Sequence, residues 1–540
     1  MVNLGILAVI LVFYIGIVSY LTYLGSQQTK NLEDYAVAGR RMPGWIMALS
    51  YASTFISTSA IVGFGGAAGV FGFTLLWLAL LNSLVGIFVA FVFLGNPIRK
   101  MATNLKSDTL ASLLGERYQS KFITWFIGLM IFLLMPAYTG VVLVGGARFI
   151  QEALQINYQL ALVILAVIVA LYVSWGGLKG VMYADAFMCG MMLLGMVLLL
   201  FKTYSVVGGV TAGHQALTGI ANLVPENLAK GGHLGWTAMP KLGSPIWWTV
   251  ISTIVMGVGI GVLAQPQLTL RFLTVPSRQA LNRAVLAGGI ALFFFTGTAF
   301  MVGPLTNVYF YQTTGKIAIA AAGGNTDLII PTFINSVMPP AYIYLFMVTL
   351  LSAALTTVLG LIHVQSVAFS RDLLATWNVK ANPMLLSRAG VYVGTIGAVV
   401  MAFILPPSII ARATAFWFGI CAAGILPALL GAIFWRRTTK TAAVWSVASG
   451  YGVSILGFVF LHAAEAVPFG ISKALFGKPT LLPFPWTHVD PLFYSIVIST
   501  AVLVIGSLVT RPLPEEHVAK CFHGLGRRRE LPAGEQVGVK

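Results

Sequence analysis

The chain has 540 residues, 58% of them hydrophobic and 9% charged, with a mean hydropathy of +0.90. A soluble globular protein carries roughly a quarter charged residues and rarely extends one core beyond about 300 residues, so a water-soluble globular domain is excluded. The net charge of +17 sits in short clusters between apolar runs with no interleaved stacking aromatics, which excludes nucleic acid as a partner and points to a lipid bilayer.

A bilayer core takes about 20 apolar residues per helical span. On that measure an all-α polytopic membrane protein of about thirteen spans is expected, at 3–25, 43–70, 74–96, 122–149, 159–178, 182–207, 246–270, 284–310, 341–369, 385–405, 409–435, 441–462 and 491–510. The first run has no basic residue before it and exceeds the apolar length of a signal peptide, so it reads as a retained helix. Cys189 and Cys421 fall inside spans and Cys521 in the basic tail, a distribution suited to packing rather than to disulfides or a metal site.

Numbering the loops alternately from an outer N-terminus places 24 of the 32 basic residues inside. That inner set includes Lys30, Arg40, Arg99, Arg117, Lys179, Arg271, Arg371, Lys380, Arg436 and the 511–540 tail. A missed helix would scramble such a bias, so it predicts an outer N-terminus and an inner C-terminus in a cell (inner) membrane. The outer loops 208–245, 311–340 and 463–490 are expected to hold short helices, and the tail to be polar and flexible. No phosphate-binding Gly-rich loop followed by Lys-Ser/Thr is present, so the whole of 1–540 reads as one transmembrane domain without ATP-driven chemistry.

Two stretches are rich in helix breakers, Ala52–Gly72 (ASTFISTSAIVGFGGAAGVFG) and Gly257–Gln267 (GVGIGVLAQPQ). Each opens a block of five spans, 43–207 and 246–435. In lipid, broken helices are tolerated where they line a cavity, and matched breaks in two halves mark a carrier's central site, where freed carbonyls bind cations and helix N-termini face anions. In the ninth span, Ala353-Ala354-Leu355-Thr356-Thr357 puts the Ala353 carbonyl and two hydroxyls on one helical face. Neutral oxygens in that pattern suit a weakly held hard cation; alternatively, the threonines back-bond to their own helix.

With EDYAVAGRRMPGW, SDTLASLLGERYQS, YVSWGGLKGVMYADAF, AQPQLTLRFL and PALLGAIFWRRTTKTAAVWSVASGYGVS taken together, residues 1–510 resemble the sodium/solute symporter family. The resemblance implies a LeuT-type 5+5 inverted repeat, with an extra helix at 3–25, repeats at 43–207 and 246–435, two trailing helices over 441–510 and a cytoplasmic tail. It implies Na+ as coupling ion, held by the carbonyls of Ser53, Ile56 and Ala353 and the hydroxyls of Thr356 and Thr357. Some members hold a second sodium through small hydroxyl residues one turn on; Leu359 and Gly360 stand there in this chain, so a one-to-one stoichiometry is predicted. Proline-type members carry an acid where this chain has Phe55. The solute lining implied is Phe55, Ser57, Ala60, Leu75, Tyr138, Val262, Gln265 and Trp417.

That lining is mainly apolar, and each unpaired buried hydroxyl of a sugar would cost about 1–3 kcal/mol there. A small organic monocarboxylate fits better, meeting free N–H groups at a helix break; an amino-acid (proline-like) or pantothenate symporter is the alternative, and a non-transporting solute sensor a more distant one. No catalytic set is present at membrane depth, so the chain is not expected to be an enzyme. Three further residues stand out. Asp185 is the only acid expected well inside a span, either functional or a structural cap. His363 shares the Thr356 face and reads as a packed neutral histidine, with a proton relay as the alternative. Arg412, at an outer helix end, either snorkels or steers anions.

Overall fold

The computed structural model describes residues 3–525 apart from 155, 378, 380, 407 and 408. The end of the expected tail, 526–540, and Lys380 of the inner basic set lie outside the described residues. All regular secondary structure among the described residues is helical. In chain order the helices are α1 (Leu4–Gln27), α2 (Leu32–Val37), α3 (Gly44–Phe55), α4 (Ser59–Leu105), α5 (Leu110–Arg117), α6 (Lys121–Leu154), α7 (Tyr158–Val206) and α8 (Pro245–Ala264). They continue as α9 (Pro266–Phe272), α10 (Arg278–Thr314), α11 (Pro340–Leu374), α12 (Pro383–Ile404), α13 (Ile410–Phe434), α14 (Lys440–Phe460), α15 (Leu492–Val509) and α16 (Glu515–Cys521). The three long connections hold short helices such as Val210–Gly219, Ile329–Val337 and Ala463–Phe469.

Eleven of these helices are long and apolar enough to cross a bilayer, so the thirteen expected spans do not emerge as thirteen separate helices. The difference lies in two runs, α4 with 47 residues and α7 with 49. At 1.5 Å per residue each is about 70 Å long, more than twice a bilayer core of about 30 Å. Each is divided by one glycine in the left-handed region, Gly72 (φ 77) in α4 and Gly177 (φ 54) in α7. Only glycine takes that conformation without a steric cost. At Gly72 a side chain is also barred by contact, because a Cβ would lie 2.1 Å from the Trp236 carbonyl, which accepts the Phe73 N–H at 2.8 Å.

The bundle is layered. The apolar window of α11 is 94% buried, whereas that of α1 is 22% buried. Helix α11 packs against α6 and α7, and α10 against α3, so the hydroxyl-bearing helix of the ninth span is central. Helix α1 lies outside α7, with Tyr14 reaching in to hydrogen-bond Ser352 at 2.8 Å. All three cysteines are buried and free.

Where the chain leaves the bundle, charged side chains close the ends. Arg117 is fully buried, and its guanidinium donates to the carbonyls of Ala432 (3.1 Å) and Trp435 (3.4 Å), serving the orphan last turn of α13. Within the described part of the expected flexible tail, residues 515–521 form a helix. Helix α16 packs on α4, His517 bonds the Arg117 carbonyl at 3.1 Å and the Phe522 ring lies under Arg117 and Arg436. The aromatic ring and buried Cys521 give this short segment an apolar face that a polarity count overlooks.

Replacing Gly72 by Ala combines a strained φ with a backbone clash, and is expected to destabilise the protein by at least about 2 kcal/mol. Gly190→Ala, where nothing lies within 4 Å of the added Cβ, is expected to be neutral. Unfolding midpoints of the two purified variants, followed by tryptophan fluorescence, check the contrast.

Candidate functional site

Two helices are broken where the sequence places breakers. Helix α3 ends at Phe55, Ile56 turns to extended backbone (φ −91, ψ 96) and α4 begins at Ser59. Helix α8 narrows into a tight turn over Val262–Ala264, Gln265 is extended (φ −73, ψ 117) and α9 starts with Pro266. The second break follows from the proline, which disfavours helical backbone in the residue before it and is suited to a first helical position. The first break has no proline. Its freed carbonyls are served by side chains instead.

Those side chains come from the middle of α11. Thr356 donates its hydroxyl to the Ser53 carbonyl at 3.0 Å, with the Ala353 carbonyl 3.4 Å away, and Thr357 donates to the Thr54 carbonyl at 3.1 Å. Ser53, Ile56, Ala353, Thr356 and Thr357 are all essentially inaccessible to solvent. Three of the five expected ion ligands, Ser53, Ala353 and Thr356, thus share hydrogen bonds, whereas Thr357 reaches the Thr54 carbonyl, which was not among the expected ligands, and Ile56 occupies the break itself. The threonines do not simply back-bond to α11; they cross to the unwound end of α3. No group of three or more His, Cys, Asp or Glu able to hold a metal occurs among the described residues. The oxygens here are neutral, a donor set for a weakly held hard monovalent cation rather than a tight divalent site.

Beside the first break lies an aromatic cluster. Phe55 meets Phe418 at 6.3 Å between ring centroids, and Phe418 meets Tyr138 edge-on at 5.7 Å. The Tyr138 hydroxyl faces the Ser57 side chain, whose Oγ accepts the Ser59 N–H at 3.0 Å. Phe418 was not singled out from the sequence; its neighbour Trp417 was. Trp417 is fully buried on the same helix and its indole N–H has no hydrogen-bond partner. Ala60 and Val262 are buried apolar residues beside the two breaks, whereas Leu75, also buried, lies further along α4 just past Gly72. Gln265 donates to the Gly261 carbonyl at 3.1 Å and accepts from Gln267 at 3.1 Å, which leaves the Gln267 carbonyl oxygen Oε1 buried and unpartnered. Trp417 Nε1 and Gln267 Oε1 are thus a donor and an acceptor left buried without a partner on the helices around the breaks.

The charged residues correct one expectation. Arg271, assigned to an inner loop, is fully buried on α9 and pairs with fully buried Asp185 of α7 at 3.3 Å. The apolar run at 246–270 stops one residue short of it, and hydropathy alone could not extend the span across a guanidinium. A second buried acid stands at a helix end. Asp372 lies on the last turns of α11, beyond the expected end at 369, fully buried and bonded by the Thr109 hydroxyl at 2.7 Å. Around Asp185, Ser50 donates at 2.6 Å and Thr54 at 3.3 Å. These bonds fit neither a simple inner cap nor an isolated ionisable group.

His363 is fully buried against Tyr35 (5.3 Å between ring centroids), with Nε2 3.3 Å from the Ala36 carbonyl of α2. Its place is the anchor of a short helix, the packed arrangement expected. Arg412 pairs with Glu465 at 3.0 Å and also bonds the Ala464 carbonyl. Burial pushes the Glu465 carboxyl up, but a short bond from His462 and the charge of Arg412 outweigh it and hold the carboxyl below its usual range. Arg412 is thus partly neutralised by a loop carboxylate, which weakens any pull on a distant anion.

Paired broken helices around a buried neutral-oxygen cluster, in a bundle of apolar spans, define a membrane carrier. Residues 35–450 match the model of the sodium:solute symporter family, and the chain belongs to that family. Membership makes it a transporter and not an enzyme, with sodium as its coupling ion. A sodium/pantothenate symporter of Haemophilus influenzae is 26% identical over 489 residues, covering 88% of this chain and 96% of that protein. A sodium/proline symporter of Staphylococcus saprophyticus is 24% identical over 492 residues, covering 88% and 89%. The substrate-bound outward-open structure of a Na+-coupled sialic acid symporter superposes with a TM-score of 0.70 at 18% identity, over 94% of this chain and 99% of that one. The fold is shared with that LeuT-type carrier.

Removing the Asp185 charge alone leaves a buried guanidinium uncompensated, so Asp185→Asn is expected to destabilise by about 3–5 kcal/mol. Adding Arg271→Gln is expected to recover most of that loss, since an uncharged pair of similar volume is often tolerated. A double-mutant cycle on the unfolding midpoints measures the difference.

Proposed function

We propose that this chain is a sodium-coupled symporter that imports an organic monocarboxylate by alternating access, one sodium per solute, across a cell (inner) membrane. The observation that carries the proposal is the crossing of the Thr356 and Thr357 hydroxyls onto the Ser53 and Thr54 carbonyls at the first break. A cation entering there would be held by the carbonyls of Ser53, Ile56 and Ala353 and by both hydroxyls. Ion binding and the shape of the first break are then a single event. Repeats over 43–207 and 246–435, with an outer N-terminus and an inner C-terminus, would bring one break from each half to the middle of the membrane.

A single ion is favoured by what surrounds the next turn of α11. Leu359 offers no oxygen, and a Cβ on Gly360 would lie 3.0 Å from Nη2 of Arg271. A fixed guanidinium in that space repels a second cation.

The solute would lie among Phe55, Ser57, Ala60, Tyr138, Val262, Gln265, Trp417 and Phe418, with Leu75 as a wall. Its apolar body would cover the rings, and its carboxylate would meet the N–H groups at a helix start. Pantothenate, a carboxylate with an uncharged body, is the first probe, because two relatives of about this length are named as sodium/pantothenate symporters. Proline is the second, on the sodium/proline relatives, although Phe55 supplies no acid for an amino group.

The test is uptake of radiolabelled pantothenate, proline and short monocarboxylates into proteoliposomes under an inward sodium gradient. Expected are accumulation that requires sodium, a Hill coefficient for sodium of about 1, and loss of accumulation in the Thr356→Ala, Thr357→Ala double variant. Equal uptake with potassium or a proton gradient alone would refute sodium coupling. In detergent, sodium is expected to raise the unfolding midpoint above the potassium control by mass action, and the double variant to lose that rise.

A further inference from the structure

Arg271 joins elements that the ion and solute readings treat separately. Its Nε donates to Ser50 (3.3 Å), and its Nη2 to the Thr54 hydroxyl (2.9 Å) and to Asp185 (3.3 Å). Its Nη1 donates to the Gln267 carbonyl (2.8 Å). Thr54 is therefore bonded at both ends, by Thr357 of α11 on its carbonyl and by Arg271 on its hydroxyl. On the other side, the Gln267 side chain donates to Gln265, which donates to the Gly261 carbonyl. An unbroken chain of hydrogen bonds and peptide units thus runs from α11 through the end of α3 and the Arg271 guanidinium to the second break.

We infer that Arg271 is a positioning residue that transmits the state of the ion-binding break to the solute-binding break, through Thr54 on one side and Gln267 on the other. The inference rests on the sodium-site reading above and adds to it the route by which the ion alters the solute pocket.

A cation that takes the Ser53 carbonyl displaces the hydroxyl proton that Thr356 places there, and the 53–54 peptides must turn to present their oxygens. The Thr54 hydroxyl turns with them, and its donor is the guanidinium. Arginine suits this role because its planar fork fixes the relative direction of several partners at once, which a lysine ammonium does not. Asp185 balances the charge of the guanidinium inside the bundle. Its second oxygen, Oδ1, has no hydrogen-bond partner, so the carboxylate can receive a shifted donor without losing another bond. Gly360 brings the α11 backbone against both Thr54 and Arg271, since a Cβ would lie 2.9 Å from the Thr54 methyl. A pair serving only to hold helices together would not need bonds to both broken segments.

The test measures hydrogen–deuterium exchange of the full-length protein in nanodiscs, in sodium and in potassium, over residues 257–273. Unfolding midpoints are measured in the same two salts. In the wild type, sodium is expected to slow exchange over that segment at least about fivefold, the lower end of ordinary allosteric coupling, and to raise the midpoint. Thr54→Val keeps the carbonyl that Thr357 reaches and removes only the hydroxyl held by Arg271. It is expected to keep the sodium-specific midpoint rise while the exchange difference falls to about twofold or less, below the range of ordinary coupling. The Asp185→Asn, Arg271→Gln double variant, which leaves no unpaired charge, is expected to behave the same way.

Retention of the full exchange difference in both variants, or its absence in a wild type whose midpoint still rises, overturns the relay while leaving the sodium site intact. Loss of the midpoint rise in the variants makes these residues part of the ion site and also overturns the relay. A wild type with no sodium-specific rise refutes the sodium site itself.

Discussion

Inside a bilayer an unpaired backbone carbonyl has no water to turn to, and each such group costs several kcal/mol. The architecture follows from that constraint at two places, the ends of α3 and α8. A soluble protein can leave a broken helix to solvent, but here every freed carbonyl must be met by a side chain, a neighbouring helix or a ligand. The first break meets it with two threonines from a helix some 300 residues away in sequence. That partnership draws α11 into the centre of the bundle and sets the hydroxyls of its middle turn against the carbonyls at the end of α3. A cation is the other species able to satisfy those carbonyls. With the sodium placed there, as proposed, ion dependence would be built into the same feature that makes the fold permissible.

The buried pair of Asp185 and Arg271 extends the reasoning from backbone to charge. Two opposite charges out of water stabilise little by themselves, because desolvation offsets most of their attraction. They are tolerable here because Ser50, Thr54 and the Gln267 carbonyl bond the guanidinium and one carboxylate oxygen, leaving only Oδ1 of Asp185 without a partner. What such a group contributes is direction. It relates two broken segments that are far apart in sequence and that must change together if the bundle is to open alternately to its two sides.

The periphery follows a different logic. Arg117, Phe522 and His517 at one end, and Arg412 with Glu465 at another, tie connections to helix ends through cations facing carbonyls or carboxylates. These contacts hold loops in place around a core whose polar groups are otherwise internal. Some of the basic residues that topology rules read as membrane-orienting signals therefore have a second task in end-closing.

Much of this was legible in the sequence, because lipid imposes a one-dimensional signal. Apolar runs of bilayer length mark the spans, Pro266 marks the second break, and the Ala353–Thr357 spacing places its oxygens on one face whatever surrounds it. Local rules also anticipate the extended Gln265, since Pro266 dictates it. Other features depend on partners distant in the chain and leave no local trace. Nothing near Thr357 says that its hydroxyl meets Thr54, and nothing separates Phe418 from Trp417 until Phe55 and Tyr138 are packed against one of them. Arg271 is the clearest case. A cation at the edge of an apolar run looks like a loop residue, and only tertiary structure brings Asp185, 86 residues earlier, close enough to make burying it affordable. Composition and periodicity determine where a membrane chain can cross; the cost of burying polar groups, settled by long-range contacts, determines what its interior holds.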